Sequence, residues 1–245
     1  MLSRIHIFFA LLIVVPTFII SLFVAIIPGY IMKLFKAEKY YEKWMRFNGT
    51  NIARIILWSL RVKVVVEGRE KIPPEGSPVC FVANHQSMLD IPTVLAALKI
   101  WAGFITKTEL KKVPILNAWI ASMHSVYIDR KSNRSSLQAI LKGVENIKNG
   151  IPMFIFPEGT RSKTGELGKF KNGSLKLATK AKAIIVPITL DGTRLAFEQK
   201  KSIRKIVVHV TVGEPIPTAD LNEEQQKELA DVVFGLIQKQ FRNLK

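Results

Sequence analysis

The first place to look for chemistry in this chain is the stretch NHQSMLD, in which His85 precedes Asp90 by five positions. A short apolar run before it predicts a strand and IPTVLAALK after it predicts a helix, so the stretch forms a turn. On one continuous helix the two side chains would point about 140° apart. If His85 lies in the turn and Asp90 in the first helical turn, the carboxylate can reach the imidazole. Pro92 favours this layout, because proline is tolerated in a first helical turn.

A second interpretation of the same stretch needs no chemistry. Ser87 and Asp90 form the pattern S-x-x-D, which is a capping box at the start of a helix. Asp90 would then accept a backbone N–H group and have no catalytic role. The local sequence is compatible with both interpretations.

Composition limits the class of protein. The chain has 245 residues and a formal net charge of +17, which indicates a partner with negative charge, either nucleic acid or an anionic membrane surface. Its single cysteine, Cys80, lies within an apolar run and is expected to be a small buried hydrophobic residue. The four histidines show no metal-ligand spacing, so no metal site is expected.

The N-terminus favours a membrane over nucleic acid. From Ile5 to Ile27 there is no acidic residue, lysine or arginine, and as a helix this run would reach about 34 Å, enough to cross a hydrocarbon core of about 30 Å. The apolar run is too long for the core of a signal peptide, and no A-x-A-like site follows it. IPGY, from Ile27 to Tyr30, predicts a turn at its end.

The next segment, AEKYYEKWMRFNGTNIARIILWSL, has the periodicity of an amphipathic helix with interfacial aromatic residues. An alternative is that its apolar stripe packs on the rest of the protein. We expect residues 1–60 to be a helical membrane anchor. Basic residues after the apolar run outnumber Arg4 before it, which predicts that residues 61–245 lie on the cytoplasmic side of the cell membrane.

Residues 61–245 alternate short apolar runs with helical patterns, which predicts an α/β domain with a largely parallel or mixed sheet flanked by helices. The predicted strands are VKVVVEG, PVCFVAN, AGFITK, SVYIDR, IPMFIFP, AIIVPITL and KIVVHVTVG. A final helix from about Asn222 to Phe241 should pack through Leu229, Val232, Val233, Leu236 and Ile237.

Polar residues that follow these strands are candidates for a ligand site, because ligands bind beyond the carboxyl ends of strands in open α/β sheets. They are His85, Lys107, Asp129, Arg130 and the segment PEGTR. Convergence of a histidine, a lysine and arginines would suit a small anionic substrate.

Together these stretches resemble the motifs of the glycerolipid acyltransferase family. NHQSMLD resembles its H-x-x-x-x-D block, VYIDR its second block, FPEGTRS its third and VPI its fourth, and KTELKKVP resembles a signature of bacterial 1-acylglycerol-3-phosphate acyltransferases. Asn117 and His124 depart from the pattern, because both stand where glycine is expected.

The resemblance implies a role for each matching residue. His85 is the expected general base and Asp90 the carboxylate that orients it. Glu158, Gly159 and Arg161 are expected to bind the phosphate and glycerol of the acceptor, with Glu158 orienting a hydroxyl or an arginine, and Lys107 and Arg130 are further candidates. Because a thioester donor is already activated, no serine or cysteine nucleophile, cofactor or metal is expected.

The expected reaction transfers a fatty acyl group from acyl-CoA or acyl-carrier protein to the sn-2 hydroxyl of 1-acylglycerol-3-phosphate (lysophosphatidic acid), giving phosphatidic acid for phospholipid synthesis. One alternative is an acyltransferase that uses glycerol-3-phosphate or another lysolipid. A second is a non-catalytic membrane-binding protein of the same fold, against which the intact His85 and Asp90 argue. No nucleic-acid-binding module is recognisable.

Overall fold

The computed structural model describes residues 2–129, 131–162, 164–199 and 204–244. It begins with helix α1 (Leu2–Ser21), a π-helical turn (Leu22–Ile26), helix α2 (Ile27–Leu34) and helix α3 (Glu38–Ser59). The turn predicted at IPGY is wrong, because the helical path continues to Leu34. Pro28 stands in the first turn of α2, where its missing N–H is tolerated, and the π-helical turn before it changes the hydrogen-bond spacing.

In the described residues, the α/β part has eight strands, six further helices and short 3₁₀ turns. The strands are β1 (Val62–Glu67), β2 (Val79–Ala83), β3 (Gly103–Lys107), β4 (Val126–Ile128), β5 (Met153–Ile155), β6 (Ile184–Asp191), β7 (Ile206–Val212) and β8 (Ile216–Pro217). The helices are α4 (Asp90–Leu98), α5 (Pro114–Ser122), α6 (Asn133–Lys148), α7 (Lys176–Ala181), α8 (Thr193–Ala196) and α9 (Glu223–Asn243), and the 3₁₀ turns are Arg69–Lys71, Thr108–Lys112 and Asn172–Leu175.

The strands form one mixed sheet in the order β1-β7-β6-β2-β5-β3-β4, with β8 paired to β6. Strand β2 is parallel to its neighbours β5 and β6, β3 is parallel to β4 and β5, and β1 is parallel to β7. Only β7 and β8 run antiparallel to β6 among the pairings described. The predicted α/β class, with a largely parallel sheet flanked by helices, is confirmed, and all seven predicted strands are present.

Two apolar layers cover the sheet. One layer contains α3, α4 and α5 and receives Phe81 from β2, and the other contains α6, α7 and α9 and receives Cys80 and Val82 from the same strand. A central parallel strand that is buried on both faces is apolar throughout, as VCFVA is. Burial raises the pKa of the Cys80 thiol to about 12, which agrees with its predicted role as a buried hydrophobic residue.

Helix α3 is shared between the N-terminal segment and the α/β core. Its buried stripe, which includes Tyr41, Met45 and Ala53, belongs to the same apolar cluster as α4 and α5. The alternative in which this stripe packs on the rest of the protein is therefore what the structure shows. Tyr40 and Trp58 on other faces of α3 are exposed.

The helical run Ile5–Leu34 is long and apolar enough to cross a membrane by length and composition. Only 22% of its most apolar window is buried against the protein. The outer face of this run is apolar along its whole length and exposes Phe8, Phe9, Leu12, Val15, Ile19, Phe23, Ile27 and Ile31.

Helix α9 begins at a capping box in which Asn222 and Gln225 exchange side-chain to backbone hydrogen bonds. The predicted packing stripe is confirmed for Leu229, Val233 and Ile237, which are buried. It is wrong for Val232 and Leu236, which are exposed, because an apolar stripe this wide exceeds the face that contacts the sheet.

Candidate active site

The candidate site lies at the carboxyl ends of β2 and β5, which are neighbouring parallel strands. The turn after β2 carries His85, and the turn after β5 carries the segment Pro157–Ser162. Two backbone hydrogen bonds of His85 connect these turns. Its N–H donates to Glu158 Oε1 at 2.7 Å, and its carbonyl accepts from the N–H of Ser162 at 2.8 Å.

His85 and Asp90 are in contact. The distance from His85 Nδ1 to Asp90 Oδ2 is 2.7 Å, and Oδ2 also accepts the backbone N–H groups of Gln86 at 2.7 Å and Ser87 at 3.0 Å. Asp90 Oδ1 accepts the hydroxyl of Thr193 at 2.6 Å. One carboxylate thus stabilises the turn and orients the imidazole. The predicted capping box is formed only in part, because Asp90 accepts the Ser87 N–H, but Ser87 Oγ accepts the N–H of Leu89 and α4 begins without a side-chain cap.

Asp90 is fully buried and has four hydrogen-bond donors around its two oxygens. Several donors compensate the cost of burying a carboxylate. Since Asp90 is an acceptor, His85 Nδ1 carries the proton in the neutral tautomer, and Nε2 is the ring nitrogen left for a substrate. The imidazole is only 17% exposed and stacks on Phe156, with ring centroids 4.1 Å apart and ring planes at 20°.

Glu158 binds backbone groups rather than an arginine or an open substrate position. Its Oε1 accepts from His85 N–H, and its Oε2 accepts the N–H of Gly168 at 3.1 Å. Burial raises the pKa of this carboxyl to about 7, and the nearby charge of Asp90 acts in the same direction. The two backbone hydrogen bonds favour the charged form but are outweighed by desolvation.

Gly159 adopts a φ of +72°, a conformation that other residues rarely take. A Cβ atom at this position would lie 2.8 Å from the Nζ atom of Lys171, so the glycine also allows the lysine to approach the turn. Lys171 is therefore a further cation beside the PEGTR segment, and the sequence motifs did not predict it.

Arg161 is paired with Glu198 through its Nη1 atom, which lies 3.1 Å from Glu198 Oε1. The arginine side chain is 46% exposed. Glu198 also accepts the hydroxyl of Ser87 at 2.6 Å and the N–H of Met88 at 2.9 Å. Glu198 comes from the connection between β6 and β7 and contacts both the histidine turn and the PEGTR turn.

Lys107 and Arg130 are the two remaining cations predicted for the site. Lys107 is exposed at the carboxyl end of β3, the strand next to β5, so it lies at the same edge of the sheet as Arg161. No hydrogen bond or ion pair joins Lys107 to the other predicted residues in the described part of the chain. Arg130 lies outside the described residues.

The two positions where glycine was expected have separate explanations. His124 has a φ of +56°, so the local backbone is one that favours glycine. Asn117 lies inside α5 and accepts a hydrogen bond from the hydroxyl of Tyr127, so left-handed geometry does not explain it.

Phe156, Lys171, Thr193 and Glu198 are site residues that were missed. Phe156 and Lys171 flank the PEGTR segment, so their proximity to that motif was a usable signal. Thr193 and Glu198 lie more than 100 positions from Asp90 and Ser87, their respective partners near the histidine turn, in a segment without a recognisable motif. Among the described residues, no group of three or more histidine, cysteine or acidic side chains could hold a metal ion.

The chain is similar in sequence to known acyltransferases. A sequence profile described as acyltransferase matches residues 63–191, a range that runs from the second residue of β1 to the end of β6 and includes both turns of the candidate site. The chain is 38% identical over 156 residues to a chloroplastic 1-acyl-sn-glycerol-3-phosphate acyltransferase of Arabidopsis thaliana, covering 64% of this chain and 43% of that protein. The chain thus spans less than half the length of this relative.

Two bacterial proteins match over more of their length. The 1-acyl-sn-glycerol-3-phosphate acyltransferase of Borreliella burgdorferi is 28% identical over 193 residues, covering 78% of this chain and 77% of that protein. The crystal structure of the 1-acyl-sn-glycerophosphate acyltransferase PlsC from Thermotoga maritima superposes with a TM-score of 0.76 at 28% identity, covering 98% of this chain and 97% of that chain. The profile match over more than half of the chain, together with the shared fold, establishes that this protein belongs to the acyltransferase family.

Proposed function

We propose that the protein transfers a fatty acyl group from an acyl thioester to the sn-2 hydroxyl of 1-acylglycerol-3-phosphate, which yields phosphatidic acid. The observation that carries this proposal is the 2.7 Å contact between His85 Nδ1 and Asp90 Oδ2, in a turn hydrogen-bonded to the segment that presents Arg161. The names of the relatives support the same substrate and reaction.

In the proposed reaction, His85 is the general base. Its Nε2 takes the proton of the acceptor hydroxyl as the oxygen attacks the thioester carbonyl carbon. Asp90 stabilises the imidazolium that forms, as a carboxylate does in other histidine-based sites. A new C–O bond forms, the C–S bond breaks, and the proton is returned to the departing thiolate. The acyl group passes directly from donor to acceptor, without a covalent enzyme intermediate.

The cationic edge of the site is proposed to bind the acceptor phosphate. Arg161 can bind two phosphate oxygens at once, and Lys107 and Lys171 can add point charges. Gly159 supplies the left-handed backbone conformation of the turn, and Glu158 connects this turn to His85 by accepting its backbone N–H. Arg130 is kept as a candidate from its sequence motif alone.

The donor is proposed to be acyl-CoA or acyl-carrier protein. Each carries its acyl group as a thioester, which is already activated toward attack by an alcohol. For this reason the proposed reaction uses no cofactor and no metal ion.

We further propose that residues 1–60 attach the protein to a phospholipid membrane. Three hydrogen bonds are spaced along the apolar helical run: His6 Nε2 with Ser59 O (3.0 Å), Trp119 Nε1 with Ser21 Oγ (3.0 Å) and Trp44 Nε1 with Ala25 O (3.1 Å). A helix fixed in this way to α3 and α5 cannot cross the bilayer without drawing the charged residues of α3 into it, which is costly. Insertion of the exposed outer face into one leaflet fits these contacts better.

The distribution of basic residues indicates on which side of the membrane the protein lies. Basic residues in the anchor lie mainly after the apolar run, and residues 61–245 carry 29 basic and 17 acidic residues. An anionic cytoplasmic leaflet attracts such a surface. The proposed location is therefore the cytoplasmic face of the cell membrane.

The test is an acceptor panel with one labelled acyl thioester. Purified protein in detergent or vesicles is given 1-acylglycerol-3-phosphate, glycerol-3-phosphate and a lysolipid without a free phosphate group, and the labelled products are separated. We expect labelled phosphatidic acid, formed at least about 10²-fold more slowly by His85→Ala. A preference for glycerol-3-phosphate or another lysolipid would contradict the acceptor assignment. Absence of transfer to any acceptor, from folded and membrane-bound protein, would favour the non-catalytic alternative.

A further inference from the structure

Glu198 contacts three groups that belong to the proposed site. Its Oε2 accepts the Ser87 hydroxyl at 2.6 Å, and its Oε1 accepts the Met88 N–H at 2.9 Å and lies 3.1 Å from Arg161 Nη1. Ser87 and Met88 lie between His85 and Asp90. One carboxylate thus connects the turn of the proposed base with the arginine of the proposed phosphate site.

The contacts of Glu198 differ in how readily a ligand can replace them. Glu198 accepts hydrogen bonds from Ser87 and Met88, which lie in the turn that leads into α4. Ser87 is fully buried, whereas in the pair with Arg161 the arginine side chain is 46% exposed and the Glu198 side chain 27%. An ion pair of this kind is weak, because solvent and salt screen it.

A phosphate competes well for the same arginine. It offers more negative charge and more acceptor oxygens than one carboxylate, and a guanidinium can bind two of those oxygens. In the described part of the chain, Glu198 is the acidic partner of Arg161, so it occupies the cation that the proposed function assigns to the acceptor.

We propose that Glu198 is a positioning residue that holds Arg161 in the unliganded protein and releases it to the phosphate of the acceptor. This inference rests on the proposed function of Arg161. Throughout the exchange, Glu198 keeps its hydrogen bonds to Ser87 and Met88, so the turn that carries His85 stays in place. Acceptor binding therefore has to break the Glu198–Arg161 pair. This requirement lowers the affinity for the phosphate, and it favours acceptors whose phosphate can replace the Glu198 carboxylate at Arg161.

The experiment compares Glu198→Gln with Glu198→Ala. Glutamine keeps an oxygen for the Met88 N–H and an amide group within reach of Ser87, but it has no charge to hold Arg161. We expect Glu198→Gln to lower the KM and the Kd of 1-acylglycerol-3-phosphate about two- to five-fold, the range of an exposed ion pair. Glu198→Ala also loses the turn contacts and should lose kcat, which the glutamine variant largely retains.

Glu75→Gln is the matched control. Glu75 forms an exposed 2.7 Å pair with Arg46, and it precedes β2, whereas the turns of the site follow the carboxyl ends of β2 and β5. This variant changes the net charge equally, so it should leave the acceptor Kd unchanged. The KM of the acyl thioester should be unaffected in all three variants.

The decisive comparison repeats Glu198→Gln in an Arg161→Ala background. If Glu198 acts through Arg161, the gain in acceptor affinity disappears when the arginine is absent. An equal gain in both backgrounds, or no gain with wild-type Arg161, would overturn the inference and leave Glu198 as a structural residue of the turn.

The acceptor Kd separates this inference from the proposed function. It is measured by titration calorimetry with 1-acylglycerol-3-phosphate in micelles and no acyl donor, so it does not depend on turnover. If the wild-type protein transfers acyl groups but Glu198→Gln leaves the acceptor Kd unchanged, only the inference is contradicted. If Glu198→Gln changes the acceptor Kd as expected but the wild-type protein transfers no acyl group, only the proposed function is contradicted.

Discussion

Thr193 Oγ1 donates a 2.6 Å hydrogen bond to Asp90 Oδ1, so the connection after β6 supports the carboxylate that contacts His85. Both residues are fully buried. A buried carboxylate that loses one donor becomes less stable and is less firmly oriented. The connection between β6 and β7 is therefore expected to influence catalysis without touching the substrate.

This relationship predicts the behaviour of Thr193→Val, which keeps the side-chain shape and removes the hydroxyl. Loss of a hydrogen bond to a charged group should lower the free energy of unfolding by about 1.5–3 kcal/mol and also lower kcat. Thr193→Ser should restore both. Urea unfolding and steady-state kinetics provide the measurements. The control is Thr189→Val, which removes a partly buried 2.6 Å hydrogen bond to Gln240 and should reduce stability only. Equal kcat for both valine variants would contradict the prediction.

The proposed base gives the second prediction. His85→Ala should reduce kcat at least about 10²-fold, as expected for loss of a general base, with folding and membrane binding preserved. Circular dichroism and vesicle flotation check the preserved properties. His209→Ala on β7 serves as a histidine control and should keep its activity. Near-normal turnover of His85→Ala would rule out the proposed mechanism.

Asp90→Asn should impair turnover severely and also reduce stability. The amide retains one acceptor oxygen but cannot stabilise an imidazolium, and its NH₂ group opposes the backbone N–H donors of Gln86 and Ser87. Turnover measured at a temperature where the variant is fully folded separates the two effects. A stability loss without a loss of turnover would leave Asp90 only with its structural role in the turn.

Phosphate recognition gives the third prediction. A charged hydrogen bond contributes roughly 1.5–3 kcal/mol, so Arg161→Ala should weaken use of 1-acylglycerol-3-phosphate about 10- to 150-fold. Arg161→Lys should recover part of the loss, because lysine cannot bind two oxygens in a fixed plane. Lys107→Ala and Lys171→Ala should act in the same direction. Kinetics with each substrate varied in turn should show a defect in the acceptor. A defect confined to the acyl donor would move the PEGTR turn to the donor side of the site.

Glu158 makes folding stability depend on pH. Its pKa is raised to about 7 in the folded protein from an ordinary value near 4.5, so the folded state retains a proton that the unfolded state has lost. Stability from this group should fall as pH rises from about 4.5 through about 7, by at most about 3 kcal/mol. Glu158→Gln should remove this part of the pH dependence. Urea unfolding at pH 5, 6, 7 and 8 tests it, and parallel curves for the two proteins would contradict it.

The membrane surface gives the fifth prediction. Replacing the exposed Phe9 and Phe23 together by glutamate should reduce vesicle binding more than tenfold, because each buried phenylalanine contributes about 1.5–3 kcal/mol. Leu141→Glu and Val232→Glu, exposed apolar positions on α6 and α9, are the matched controls and should bind normally. Flotation at high salt makes the comparison insensitive to the basic surface. A double variant that floats like the wild type would place the anchor elsewhere.

These substitutions are better probes than deletion of residues 1–60. Such a deletion would remove α3, whose buried residues Tyr41, Met45 and Ala53 belong to the core beneath α4 and α5. A truncated protein would expose this surface, and its insolubility would give no information about membrane binding. Point substitutions on the outer face leave the core intact.

Local sequence was sufficient for the strands and the apolar N-terminal run, and it allowed the pairing of His85 with Asp90 without deciding between that pairing and a capping role. Strands of a buried parallel sheet are short apolar runs, and five residues across a strand-to-helix turn restrict where a side chain can reach. The N-terminal helical path and the packing of α9 were predicted less well. The π-helical turn that accommodates Pro28 and the width of the contact face both depend on neighbouring segments.

The tertiary structure alone decided which distant residues complete the site. Thr193 and Glu198 reach the histidine turn because β6 lies beside β2 and the connection to β7 returns over the carboxyl end of the sheet. Glu158 contacts the backbone N–H groups of His85 and Gly168, and Arg161 is paired with Glu198 instead. The types and spacing of residues determine which groups a turn presents, whereas strand order and burial determine which partners those groups contact. The sequence does not reveal these partners, because contacts across more than 100 residues leave no periodic signal in the chain.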